Sequence, residues 1–166
     1  MITTKRIQKM WILGIAGFVV GFILCGIVVL KAMPSLMIVT SGSKLGFNET
    51  VAALEKRITE QGWVIQGGQP IDMNQSMAKH GVTFKPRVQL VKLCKAEYAK
   101  DVLTTDRHVS TMMPCTFSVW EDDNGKVYLS KMNMALMAKI FGGNIAKVMG
   151  EKVTRDEEEM LQGLLE

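Results

Sequence analysis

Two cysteines, with methionines and a histidine close by in sequence, are the residues of this chain with chemistry to offer beyond packing. Cys94 and Cys115 are separated by 20 residues, one closing an alternating apolar run and the other opening the next. Met112 and Met113 precede Pro114-Cys115, His108 lies seven residues before Cys115, and Met132, Met134 and Met137 follow. Thioether and thiolate sulfur are soft donors that suit Cu(I) and haem iron, and an imidazole can serve as an axial ligand. Cys94, Cys115, His108 and Met113 are therefore the candidate cofactor-binding set, with haem or copper as the group they would hold. Three readings of the cysteine pair stay open. They form a disulfide if their strands are antiparallel neighbours, they pack as unpaired thiols, or they belong to a redox or metal site. The 13 methionines read equally as adaptable core or interface filler, and His80 and His108 as solvated loop residues.

Other chemistries lack their motifs. The chain has no CxxC, HxxxH, HExxH or CxxCH, which excludes thioredoxin-type, zincin and c-type haem signatures. Ser41-Gly42-Ser43 has no nucleophile-elbow context, and Gly142-Gly143 reads as a helix break with no phosphate cradle. Glu121-Asp122-Asp123 falls in a turn, with too few fixed oxygens for a divalent cation. No catalytic signature emerges, and the balance leans away from an enzyme.

The elements that must position these residues follow from periodicity. Met37 to Thr40 reads as a strand that Ser41-Gly42-Ser43 breaks. Asn48 would cap a helix carrying Val51, Leu54 and Ile58, which Gly62 stops. Trp63 to Gln66 forms a second strand, and Ile71 to Lys79 a short helix with Asp72 or Asn74 near its cap. Arg87 to Cys94 alternates as a half-buried strand, and Ala96 to Leu103 is helical. Cys115 to Trp120 and Lys126 to Ser130 flank Asp122-Asp123-Asn124-Gly125, a hairpin signal. Met134 to Phe141 and Ile145 to Leu165 are helices parted by Gly142-Gly143, and the acidic end EEEMLQGLLE reads as a solvated helix face. The order predicts an α+β domain with helices packed on one face of a sheet of about five strands.

Ahead of this domain, Met10 to Leu30 are 21 consecutive uncharged residues, enough to cross a bilayer once as a helix. Lys5, Arg6 and Lys9 precede the run, which predicts an N-terminus in the cytoplasm and a translocated C-terminal domain. The run exceeds the apolar region of a signal peptide, and Ala32-Met33-Pro34-Ser35 is a mediocre cleavage site, so an uncleaved anchor is expected. Leu24 before Cys25 argues against a lipoprotein. The division is residues 1–35 as cytoplasmic stub and membrane helix, residues 36–166 as soluble domain, joined by residues 32–36 as tether. Residues 1–35 hold four basic and no acidic side chains, so the net charge of +4 belongs to them and the remainder balances to zero. A neutral domain removes the usual reason to expect a nucleic-acid partner. The expected partners are the lipid bilayer and, through the Gly17-Gly21 spacing, a second copy or a larger integral membrane complex.

From Ile38 to Val153 the chain resembles the domain-of-unknown-function family 302. The matching residues are Gly46-Phe47-Asn48-Glu49-Thr50, Gly62-Trp63, Leu93-Cys94-Lys95-Ala96-Glu97, Met113-Pro114-Cys115-Thr116-Phe117-Ser118-Val119 and Gly125-Lys126-Val127. The resemblance implies a small α+β domain, found alone or fused to other modules, without an agreed activity. It also implies a link to sulfur or haem redox chemistry. Lys95-Ala96 replaces the Asn-Pro that usually follows the first cysteine, which alters any ligand geometry built on that turn. The combined expectation is an accessory or binding module in the inner membrane with its domain periplasmic, linked to respiratory or sulfur redox metabolism. The alternative is a haem- or copper-binding redox protein.

Overall fold

The computed structural model describes residues 4–166, with side chains from Lys9 onward. The chain divides after Leu36 into two units. The first is formed by helix α1 (Thr4–Met37), whose last residue falls in the second unit. Its stretch Lys9–Met37 is long and apolar enough to cross a membrane, and none of its most apolar window is buried against protein. Residues 32–36, expected as a tether, continue this helix; Ser35 bonds back to the Ala32 carbonyl at 3.0 Å.

The second unit holds strands β1 (Ile38–Gly42), β2 (Val64–Ile65), β3 (Ile71–Asp72), β4 (Val88–Cys94), β5 (Cys115–Glu121) and β6 (Val127–Met132). All pairings are antiparallel, in the order β1-β6-β5-β4, with β2 and β3 both lying along the outer edge of β4. This edge is one strand broken in two by the loop 66–70, where Gly67 and Gly68 take positive φ. The sixth strand was not expected: Ile71 and Asp72 pair with Leu90 and Gln89. The helix predicted from Ile71 therefore starts later, as α3 (Met73–Ala78), with Asp72 accepting the Gln75 N–H at 2.9 Å.

Alternation decides the faces of the sheet. Val91, Leu93, Cys115, Phe117, Val119, Val127 and Leu129 point into the core, which helices cover. The opposite face carries a stacked Trp120–Tyr128 pair, centroids 4.6 Å apart, and a hydroxyl chain from Trp120 through Ser130 to Thr40. One solvated face is the usual state of an antiparallel sheet.

Helix α2 (Phe47–Glu60) buries Val51, Leu54 and Ile58, as its spacing predicted. Its cap is Gly46 and not Asn48: Glu49 accepts the Gly46 N–H at 3.1 Å, while the Asn48 side-chain carbonyl accepts from Arg87 at 3.0 Å. Helix α4 (Ala96–Thr105) leads into a 3-10 turn, Arg107–Met112. In the β5–β6 hairpin Gly125 alone takes positive φ, and the Asp122 carboxylate holds the turn through the N–H groups of Asn124 and Lys126.

After α5 (Met134–Phe141), Gly142 and Gly143 break the chain as expected. Then α6 (Gly143–Ile145), a wide π-helical segment Ala146–Val153 and α7 (Thr154–Leu161) follow without a gap. The helix expected to reach Leu165 ends at Leu161. The chain turns at Gly163, and the Glu166 N–H bonds the Gly42 carbonyl at 2.9 Å beside β1.

Candidate functional site

The cysteines meet at one end of the sheet, where β4 finishes and β5 begins. Leu93, not Cys94, is the register partner of Cys115. Successive strand residues point to opposite faces, so Cys94 and Cys115 leave the sheet on opposite sides and both thiols are free. They nevertheless line one small cavity of about 20 Å³, walled by Trp63, Tyr98, Met113, Pro114, Val148 and Met149. That volume admits a single water-sized occupant.

Two ion pairs with buried carboxylates flank this cavity, both carboxylates supplied by α7. Asp156 accepts the Trp63 indole N–H at 3.0 Å and the Lys95 ammonium at 3.1 Å. Lys95 also donates to the Gln61 carbonyl and lies 4.7 Å from the centroid of the Tyr98 ring. Burial pushes the Asp156 carboxyl upward, but the donated hydrogen bonds and the Lys95 charge outweigh it and hold the pKa below its ordinary range. Its neighbour Glu157, 1% exposed, pairs with Lys131 of β6 at 2.6 Å. There burial dominates over Lys131, and the carboxyl is pushed up.

These charges act on the thiols. Burial first, then the Glu157 carboxylate and Cys94, push the Cys115 thiol up to about 12, against the opposing pull of Lys131. Burial raises Cys94 as well. Both cysteines are neutral thiols at physiological pH, and a neutral thiol is a poor nucleophile.

The profile of the family described as "Domain of unknown function DUF302" matches residues 38–166. The chain belongs to this family. Its fold is similar to the crystal structure of an uncharacterized conserved DUF302 protein from Bacillus stearothermophilus. That likeness has a TM-score of 0.65 at 16% identity, covering 75% of this chain and 96% of the other. No curated protein matches the chain.

Within this DUF302 domain the expected ligand set is only partly assembled. Cys94, Cys115 and Met113 line the cavity. His108 instead sits exposed on the 3-10 turn, with its ring 6.3 Å from that of Phe141, and His80 is exposed in a loop. Among the described residues no group of three or more His, Cys, Asp or Glu side chains could hold a metal ion. Haem does not fit this cavity: ligand pockets span about 300–1,000 Å³, and the cavity offers about 20 Å³.

The residues that organise this end of the DUF302 domain are Trp63, Lys95, Lys131, Asp156 and Glu157, none of which stands out as a site residue in the sequence. A signal was present. Val153, Glu157, Met160, Leu161 and Leu164 recur at helical spacing, which places Glu157 inside the apolar stripe. The expected solvated acidic face holds for Glu158, Glu159 and Glu166 but not for Glu157, which is buried like its neighbour Asp156.

Proposed function

We propose that the protein is a single-pass, membrane-anchored binding module that holds its DUF302 domain outside the cytoplasmic membrane as an accessory component. The observation that carries this reading is α1, whose apolar stretch Lys9–Met37 has no protein burial along its most apolar window. Such a surface is stable only in lipid or against other helices. The basic residues Lys5, Arg6 and Lys9 ahead of the span favour a cytoplasmic N-terminus. The domain's own chemistry favours binding over turnover: its two cysteines are unionised and its cysteine-lined cavity is water-sized.

Reporter fusions test the topology. Alkaline phosphatase joined after Glu166 should be active and a green fluorescent protein at the same place dark; the opposite pattern overturns the orientation. Extraction at high pH should leave the full chain in the membrane pellet. The accessory role predicts co-purification with larger integral proteins in mild detergent, and a monodisperse monomer under those conditions argues against it.

A further inference from the structure

A wide concavity of the domain lies away from the cysteines, where the edge strand is broken between β2 and β3. It is a depression of about 630 Å³ between α2, the loop 66–70 and α3. Gln89 lines it from β4, the strand that also carries the buried Val91 and Leu93. Gln66, Gln69 and Gln75 line it with Gln89, and among the described residues none of these four side-chain amides has a hydrogen-bond partner.

We infer that this depression is a binding site for a neutral saccharide. This inference rests on the proposed binding role and names its ligand class. Each amide offers both donors and an acceptor, the complement of a hydroxyl, which also donates and accepts. Four unengaged amides around one depression can therefore satisfy a polyhydroxylated ring without burying a charge. Glu55, Asp72 and Lys79 on the same lining leave a formal charge of −1, which disfavours phosphate and other anions. The Asp72 carboxylate already caps α3, and two carboxylates alone make a poor cation site. The volume matches a mono- or disaccharide, since ligand pockets span about 300–1,000 Å³.

The test uses the full chain in lipid nanodiscs, titrated by calorimetry with maltose, with N,N′-diacetylchitobiose and with trialanine. Saturable binding of either saccharide is expected. Gln75→Ala combined with Gln89→Ala should weaken it about tenfold or more. Gln66→Ala removes only an exposed side chain, keeps the Gln66 N–H bond to the Lys92 carbonyl of β4, should weaken binding and guards against a folding defect in the double variant. Saccharide binding unchanged in both variants overturns the site. No saccharide binding, or binding of trialanine alone, overturns the ligand class. The titration reports on the site whichever side of the membrane the domain occupies, whereas the fusions report on topology alone, so the two readings fail separately.

Discussion

Asp156 and Glu157 are neighbours in sequence, both buried, yet the fold shifts their carboxyls in opposite directions. The signs of their pH effects follow. Asp156 has a folded pKa below its ordinary 3.8, so its contribution to stability is complete above that value and is lost as pH falls through the folded one. Glu157 has a folded pKa above its ordinary 4.5, so its cost is complete above the folded value and is relieved as pH falls toward 4.5. Urea titrations over a pH series should show Asp156→Asn losing less stability than wild type in the acid limb. Glu157→Gln should lack the gain that wild type makes on mild acidification; parallel curves for wild type and both variants would refute the assignment. Lys131→Met leaves the buried Glu157 without its partner and should cost about 3–5 kcal/mol near neutral pH, a cost that shrinks as pH falls, because burial already pushes the carboxyl up and eases its protonation. Cys115, pushed up to about 12 from an ordinary 9.0, holds roughly a thousandfold less thiolate than an unshifted cysteine. Iodoacetamide should therefore leave it unmodified in the folded protein and label it after denaturation, as read by peptide mass spectrometry.

At the scale of elements, the segment from α5 to α7 decides which residues reach the cavity. The turn-to-turn packing is close: a Cβ at Gly150 would lie 2.7 Å from the Cβ of Ala138. Gly150 has no unusual φ, so it is needed for approach and not for backbone conformation. Replacing it by alanine gains about 1 kcal/mol of helix propensity but overpacks the interface with Ala138 at a cost of about 1–3 kcal/mol. Gly150→Ala should therefore lower the thermal midpoint, and adding Ala138→Gly should relieve the crowding and raise the midpoint most of the way back. Additive effects in that double-variant cycle would mean the two residues do not couple. The widened segment Ala146–Val153 ends just before the paired acids, and π-type widening is frequent at functional sites.

For the whole molecule, the core cluster draws its residues from Phe47 to Leu165, within the second unit. Residues 37–166 alone should then unfold in one cooperative transition, with a midpoint within about 4 °C of the full chain, a difference of about 1 kcal/mol or less. A molten, non-cooperative fragment would show that the domain needs its helix. The broken edge has a consequence at this scale too. An uninterrupted edge strand invites pairing with other chains, whereas the loop 66–70 interrupts that edge and opens the amide-lined depression.

The amino-acid sequence by itself determined what depends on local order. The uninterrupted apolar run is a helix long and apolar enough to cross a membrane, the Val51–Leu54–Ile58 spacing makes α2 amphipathic, and the alternation from Arg87 to Cys94 is a strand with one buried face. The two glycines at 142 and 143 break a helix wherever they stand. Tertiary structure decided what depends on register and on partners distant in sequence. A one-residue offset between β4 and β5 puts Leu93 opposite Cys115 and sends the two thiols to opposite faces, which no spacing reveals. Asp156 and Glu157 look like surface acids until Trp63, Lys95 and Lys131 arrive from 26 to 93 residues away to donate hydrogen bonds to them. The physical reason is common to both. Periodicity records which way a side chain points along its own element, but a charge is buried, or a thiol paired, only by what the fold places opposite it.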